Sequence, residues 1–391
     1  MIFDLAWHNL WYNKKRTILQ LILIAITLSA LVLFRGYVDY SREGMALGFI
    51  EKNGNIQISH NDGTSILDCD DLSLINSVLS GYEGIKKIDK VLEFSGIIGT
   101  EKVSTIFWGL AFDNPNERYG VIEGTPLFSD SQDIMLGKEL CRDLNLNPTE
   151  KPSVNILTNT NSSGIALSSF AVSGTTSTNI PQNDKGLVIA PRTAILDFIG
   201  EEDIASCIQI FLKNTSDTDS MIETLNNTFN GAYQVQSWIE LNPSYNQVNA
   251  MNEMQYSIIS IIMCVLVFVS LAQSLSTAFN ERLYEFGTLE AIGLKKLGVL
   301  FLLMAEVILL SALGLVLGMS LSWVLDFVVS KSRIVFIPPG YSEGFLLQFY
   351  ITIRNIISSC LFIFSTCLLA MIIPIVNVLK NTVVRLMNHV E

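Results

Sequence analysis

Side chains able to do acid–base, nucleophilic or metal chemistry are few in this chain and badly spaced for it. There are three histidines, His8, His60 and His389, and the sequence holds no HExxH pair, no GxSxG elbow and no Walker A phosphate loop. Six cysteines are scattered without CxxC or other metal-like spacing. Cys69, Cys141 and Cys207 fall in one segment, and an odd number argues for partly buried free thiols and against a closed disulfide framework. The acidic residues read as a solvated face, not as paired catalytic carboxylates. No enzyme activity and no cofactor are expected. Two groups of charges remain. One is Glu306, a lone carboxylate inside an apolar run, where facing lipid would cost a few kcal/mol; either a structural hydrogen bond or a part in transport is expected of it. The other is NERLYEFGTLEAIGLKKLG at 280–298, a charged, glycine-punctuated stretch between runs of nearly pure hydrocarbon.

The elements that must position these charges follow from composition. Of 391 residues 49% are apolar and only 16% charged, which suits an integral membrane protein. Four runs reach the roughly 20 apolar residues needed to cross a bilayer: 17–34, 257–278, 300–329 and 351–378. The first follows Lys14, Lys15 and Arg16 and could be a signal peptide, but its apolar run exceeds a usual signal core, so a retained anchor is expected. Basic residues next to the spans cluster at Lys14–Arg16, at Arg282, Lys295 and Lys296, and at Lys380 and Arg385, and Lys331, Arg333 and Arg354 in the other short loop weaken this bias without reversing it. By the positive-inside rule the side of the clusters is cytoplasmic, with both termini, the 280–298 segment and the 379–391 tail on it. Residues 35–255 and the 330–350 loop then lie outside, in a multi-pass protein of the cell's inner membrane.

The large segment carries 29 Asp and Glu against 14 Lys and Arg, as a solvated domain would. Without a basic patch, no nucleic-acid partner is expected. Strand-like runs (54–60, 94–100, 103–112, 186–191, 207–212) alternate with helical patterns at 71–82, 134–146 and 219–232, so an α+β fold of one or two compact units is expected. Residues 158–185 are rich in Ser, Thr, Asn and Gly, and read as a strand pair with a protruding loop. Pro181 biases its neighbour towards an extended backbone. The polar residues from Gly174 to Lys185 show no apolar period, so a protruding tip is expected there.

Within the membrane part, Gly314, Gly318 and Ser322 recur at four-residue spacing and let another helix approach closely, either within the bundle or from a second molecule. Glu306 lies roughly 15 Å along a helix from Lys296. Asp326, near the far end of the same span, should face protein, water or the interface. At the N-terminus (1–16), Phe3, Trp7, Leu10 and Trp11 fall at helical spacing, as for a helix in the membrane interface. In the 280–298 stretch, Glu281 and Glu285 continue the second span on one face, Gly287 and Gly293 can bend it, and Lys295 and Lys296 mark re-entry. Such a short rigid segment between two spans suits receipt of force from a soluble partner.

The run ERLYEFGTLEAIGLKK resembles the E-R-x-x-E-(I/F)-G-x-L-x-A-(I/L)-G signature of the MacB/FtsX-type ABC transporter permeases, which include the lipoprotein-releasing Lol permeases. AWHNLWYNKKRTIL at 6–19 is similar to that family's A-W-x-N-L-x-R-x-x-R-R-T start, with Tyr12 departing from it, and GNIQISH to a G-H-(I/V)-Q-I-H segment of the Lol-like branch. The order of parts, one span, a large outer domain and three spans, also resembles the family. This resemblance implies an α-helical membrane permease with a MacB-like periplasmic core domain at 35–255. It implies a separate ABC ATPase subunit, contacted through Glu281, Arg282, Glu285, Gly287, Leu289, Ala291 and Gly293, and a second permease copy or paralogue. It further implies a lipoprotein, peptide or other amphiphile as cargo. By position, Thr176, Asn179 and Pro181 would belong to a loop that meets a soluble carrier. A regulatory scaffold controlling a cell-wall hydrolase, in the manner of FtsX, is the alternative.

Overall fold

The computed structural model describes residues 2–62, 66–160, 164–281, 296–337, 342 and 344–380. The chain divides into two compact units: a helical one formed by 1–43, 247–335 and 346–391, and an inserted one formed by 44–246 and 336–345. Two helices begin the chain, α1 (Ile2–Tyr12) and α2 (Lys14–Asn53). The second continues well past the apolar run that ends at Phe34, and its last turns belong to the inserted unit.

In the inserted unit the elements follow as β1 (Ile56–His60), α3 (Cys69–Leu79), β2 (Ile85–Gly99), β3 (Ser104–Phe112), β4 (Glu123–Gly124), β5 (Ile134–Gly137) and α4 (Lys138–Asp143). Then come β6 (Ser153–Thr160), β7 (Gly164–Thr176), α5 (Pro181–Asp184), β8 (Leu187–Pro191), α6 (Arg192–Ile199), β9 (Cys207–Leu212), α7 (Thr218–Phe229) and β10 (Tyr233–Ser237). All ten strands join one sheet in the order β10-β1-β9-β2-β3-β8-β5-β7-β4, and β6 pairs with both β2 and β7. That double pairing closes β2-β3-β8-β5-β7-β6 into a barrel. The long β2 is shared: Ile85–Val91 pairs with β9, whereas Gly96–Gly99 pairs with β6. Closure depends on Gly96, because a Cβ there would overlap the Leu157 carbonyl of β6.

The barrel interior holds Ile98, Phe107, Ile156, Val172 and Val188, all essentially excluded from solvent. A second core forms where α3 and α7 cover the β10-β1-β9 end of the sheet, with Ile58, Ile75, Ile210, Leu225 and Phe229 between them. Helix α3 starts on a capping box: Asp68 accepts from the Asp71 N–H at 2.9 Å and Asp71 accepts from the Asp68 N–H at 3.3 Å. Arg192 ties the edges together through Asp113 at 2.7 Å and Asp203 at 2.5 Å, and Lys90 also donates to Asp203 at 2.5 Å. Burial pushes the Asp203 carboxyl up, yet the hydrogen bonds from Lys90 and Arg192 outweigh it and hold the group below the usual carboxylate range. Cys207 is buried in the sheet, and desolvation raises its thiol pKa. All six cysteines are free thiols, with Cys69 exposed.

Two readings of the sequence change here. The 134–146 run is not one helix: Ile134–Gly137 is a strand buried between β7 and β8, and only Lys138–Asp143 is helical. A fully buried strand is a continuous apolar run, which periodicity cannot separate from a buried helix. The stretch 174–185 is not a protruding tip. Thr176 is buried at the end of β7 and donates to the Gly120 carbonyl at 2.9 Å, and the chain then wraps around Asp184. That carboxylate, itself buried, accepts from the Thr178 N–H and hydroxyl, both at 2.7 Å, and from Ser177 at 2.5 Å. Asn179 takes a left-handed turn with φ 64°, and its carbonyl accepts from the Ser342 N–H at 2.8 Å. Pro181 opens the single turn of α5. A buried carboxyl group with hydrogen-bonding hydroxyls and a backbone N–H organises this segment where no apolar period could. The projecting hairpin is instead β6–β7, whose connecting residues 161–163 lie outside the described residues.

The helical unit is completed by α8 (Pro243–Glu281), α9 (Lys296–Ser332), α10 (Ile353–Ala370) and α11 (Ile372–Lys380). With α2, these give four candidate spans long and apolar enough to cross a membrane. They share a core that includes Ile24, Leu28, Val267, Leu271, Leu303 and Ile363. The fourth span breaks at Met371 because Pro374 has no N–H to donate back to Ala370, so a new first turn begins at Ile372.

Candidate functional site

The site is built at one end of the helical bundle, where the N-terminal motif turns back on itself. The Asn13 carbonyl accepts the N–H groups of Arg16 and Thr17, both at 3.1 Å, and so starts α2. Thr17 Oγ1 donates to the Leu10 carbonyl at 2.6 Å, satisfying an acceptor left open at the end of α1. The turn lays α1 against α9. Ala6 is fully buried and Leu10 packs on the bundle core, whereas Trp7 and Trp11 stay exposed, edge to face at 6.1 Å. The expected single face of Phe3, Trp7, Leu10 and Trp11 is therefore split: the bundle takes Leu10 and leaves the two tryptophans outside, and the Phe3 side chain lies outside the described residues.

This turn delivers three polar side chains to two distant glutamates. Asn9 Nδ2 donates to Glu306 Oε1 at 2.7 Å, across 297 residues of sequence. Glu306 is 6% exposed, so a hydrogen bond here counts for more than one in water. Arg16 Nη1 reaches Glu281 Oε2 at 3.1 Å and Asn13 Nδ2 reaches the same oxygen at 3.4 Å. Glu281 is half-exposed, so this ion pair adds little stability. Glu281 is the last described residue of α8 before the 282–295 stretch. Beside Glu306 lies a cavity of about 220 Å³, lined by Asn9, Asn13, Arg16, Gln20, Ser274 and Glu306 among others. Among the described residues, no cluster of three His, Cys, Asp or Glu side chains is arranged to hold a metal ion.

A matching clamp that the sequence reading missed joins α2 and α8 at the opposite end. Arg35 and Arg42 both reach Glu253, at 2.7 and 2.5 Å, and Arg35 also lies over the Tyr256 ring at 5.4 Å. Asp39 accepts from Asn355 Nδ2 at 2.6 Å, which brings in α10. Arg16 and Arg35 are separated by about 28 Å of helix, close to the roughly 30 Å of a hydrocarbon core. The available signal was Arg35 itself, a charge standing directly after the apolar run ends at Phe34.

Gly314 and Gly318 face the first span. A Cβ on Gly314 would stand 2.7 Å from Ile24 Cγ2, and one on Gly318 would stand 2.9 Å from Leu28 Cβ and 3.0 Å from the Ala25 carbonyl. Ser322 is buried, and its hydroxyl donates to the Gly318 carbonyl at 2.8 Å. The stripe of small residues is thus filled by α2 of the same chain. Arg282, Glu285, Gly287, Leu289, Ala291 and Gly293 lie outside the described residues. Thr176, Asn179 and Pro181 belong to the inserted unit.

Residues 257–383 match the family of FtsX-like permease C-terminal domains. No curated protein matches the chain. Among solved structures, it is similar to the periplasmic region of MacB from Actinobacillus actinomycetemcomitans, with 18% identity, a TM-score of 0.37, and coverage of 50% of this chain and 95% of that one. It is also similar to the extracellular domain of the noncanonic ABC-type transporter YknZ from Gram-positive bacteria, with 14% identity, a TM-score of 0.33, and coverage of 46% and 99%. From the middle of α8 onwards the chain is thus similar to FtsX-like permease C-terminal domains.

Proposed function

We propose that the chain is the permease subunit of an ABC transporter of the MacB/FtsX type, in which ATP hydrolysis by a separate subunit moves the inserted unit. The observation that carries this reading is the FtsX-like permease match over 257–383. The geometry supports it: Arg16 and Asn13 hold the end of α8 at Glu281, which would fix the direction in which the 282–295 stretch leaves the bundle. In this reading Arg282, Glu285, Gly287, Leu289, Ala291 and Gly293 form the surface that receives the ATPase. Two permeases assemble, and the cargo is a lipoprotein, peptide or other amphiphile. An affinity-tagged chain purified from membranes of its own cells should bring down an ABC ATPase, identified by mass spectrometry. Replacing Glu285 and Gly287 together should lower its recovery at least fivefold while the permease stays in the membrane. Absence of any ATPase from the wild-type preparation overturns the assignment.

The orientation belongs to the same proposal: both termini and the 282–295 stretch are cytoplasmic, and the inserted unit is extracytoplasmic. Asn61 and Asn183 are exposed on that unit. Single cysteines placed there, in a background lacking the six native ones, should react with a membrane-impermeant maleimide in intact cells, after permeabilising any outer membrane. Labelling only after lysis reverses the orientation.

A further inference from the structure

The cavity beside Glu306 holds more polar groups than the helices around it satisfy. Gln20 of α2 lines it and is 6% exposed, yet among the described residues nothing hydrogen-bonds its side-chain amide. Ser274 of α8 also lines it, and its hydroxyl is buried without a partner among those residues. An unsatisfied buried donor or acceptor costs about 1–3 kcal/mol, so both groups call for an occupant that can donate and accept hydrogen bonds. A hydrocarbon chain would leave both unpaired.

The cavity reaches the surface at one end and is closed at the other. Tyr12, 84% exposed, and His8, also exposed, border it where α1 turns into α2, and the exposed Lys14 and Lys15 place that turn in water. From there the lining runs inward from Arg16 to Gln20 on α2 and from Glu306 to Leu310 on α9, about 6 Å of helix. One turn further in, the walls are apolar and packed: Ile24 and Leu271 are fully buried, and Gly314 faces Ile24. A volume of about 220 Å³ has room for several waters, each of which takes about 30 Å³ in the liquid. Gln20, Ser274 and Glu306 supply the polar partners that ordered water needs. The titratable and charged groups facing the cavity are His8 and Tyr12 from α1, Arg16 from α2 and Glu306 from α9, whereas α8 lines it with uncharged side chains.

We infer that this cavity holds water and forms a one-sided inlet through which the Glu306 carboxyl exchanges protons with the aqueous phase at the α1–α2 turn. Hydronium gives its proton to the carboxylate and leaves water, and the reverse step returns it; the packed layer at Ile24 and Leu271 keeps the proton from passing further. To test it, the full chain in nanodiscs is irradiated with a brief X-ray pulse, which makes hydroxyl radicals from water held beside a side chain, and oxidised residues are mapped by mass spectrometry. Leu275 and Leu310 line the cavity, whereas Leu271 and Leu303 are buried away from it. Oxidation at Leu275 and Leu310 is expected at least tenfold above that at Leu271 and Leu303. A Gln20→Leu/Ser274→Ala variant removes both unpaired groups and should lower oxidation at Leu275 and Leu310 at least fivefold, with an unchanged or raised melting temperature. The wild-type comparison and the infrared reading that follows need no folded double variant. Infrared difference spectra between acidic and neutral buffer should contain a carboxyl C=O band that is missing from Glu306→Gln, and in the wild type it should respond within the mixing time. Equal oxidation at all four leucines, or a Glu306 band that ignores the buffer, overturns the inference. So does a phospholipid that native mass spectrometry finds on the wild-type chain and not on the double variant, which would put a headgroup in the cavity. Neither measurement requires an ATPase or nucleotide, so their failure leaves the permease assignment intact.

Discussion

A leucine at Gly318 should separate the first span from the third and leave little folded protein. At this position even a Cβ would stand 3.0 Å from the Ala25 carbonyl and 2.9 Å from Leu28 Cβ. The carbonyl belongs to a helix backbone and cannot rotate away, so the two helices must move apart. Overpacking a well-filled core costs about 1–3 kcal/mol and occasionally more, and here displacement also strips α9 from Ile24 and Leu28, central members of the bundle core. We expect a loss of about 3 kcal/mol or more for Gly318→Leu, a smaller one for Gly318→Ala, and less than about 0.5 kcal/mol for Leu317→Ala on the exposed side of the same helix. Thermal unfolding in detergent, with the monodisperse fraction recovered after purification, measures all three. If Gly318→Leu is as stable as Leu317→Ala but alters oligomeric state, the stripe serves self-association and its packing on α2 is incidental.

Breaking the Asn9–Glu306 bond should cost nearly as much and should reach further into function. Removal of Asn9 takes a hydrogen-bond donor from a carboxyl group that is 6% exposed. Leaving a buried polar group unsatisfied costs about 1–3 kcal/mol, so Asn9→Ala, Glu306→Ala and the double variant should show a coupling energy in that range. Glu306→Gln keeps an acceptor oxygen for Asn9 and should preserve most of the stability. If the chain works as the proposed permease, Glu306→Gln should also retain coupling between ATP hydrolysis and movement of the inserted unit, and Asn9→Ala should lose at least half of it, because the bond holds α1 on α9. Nucleotide-dependent change in distance between two spin labels on the inserted units of the proposed transporter would read this directly. A stable Glu306→Gln protein with no response to ATP would instead show that the carboxylate must carry charge or a proton during the cycle.

The four spans were legible from the sequence because the requirement they meet is local. A run of about 20 apolar residues satisfies a bilayer whatever surrounds it; 17–34, 257–278 and 300–329 each lie within an observed helix, and 351–378 is covered by α10 and α11 together. For the same reason β1, β3, β8 and β9 could be read directly: each is a short apolar or alternating run bounded by turn residues. The α+β character of the inserted unit followed from their alternation with α3 and α7.

What only the tertiary structure decided was pairing over long distances. Nothing local tells Glu306 that Asn9 will be its donor, or tells Gly314 and Gly318 that α2 of the same chain will fill their groove; both contacts depend on helices nearly 300 residues apart meeting in register. The buried strand Ile134–Gly137 read as part of a helix because neighbours on both sides, and not its own period, make it a strand. The segment 174–185 read as a loose tip because its organiser is one buried carboxylate, Asp184, whose burial is invisible in composition. On the outer face of the sheet, the apolar line Ile106–Ile97–Leu157–Leu167 depends most on register. Its members are spread over 70 residues and alternate with inward-facing or polar neighbours, so they become a surface only when β6 pairs with β2 and β7 and a one-residue slip in any ladder would scatter them.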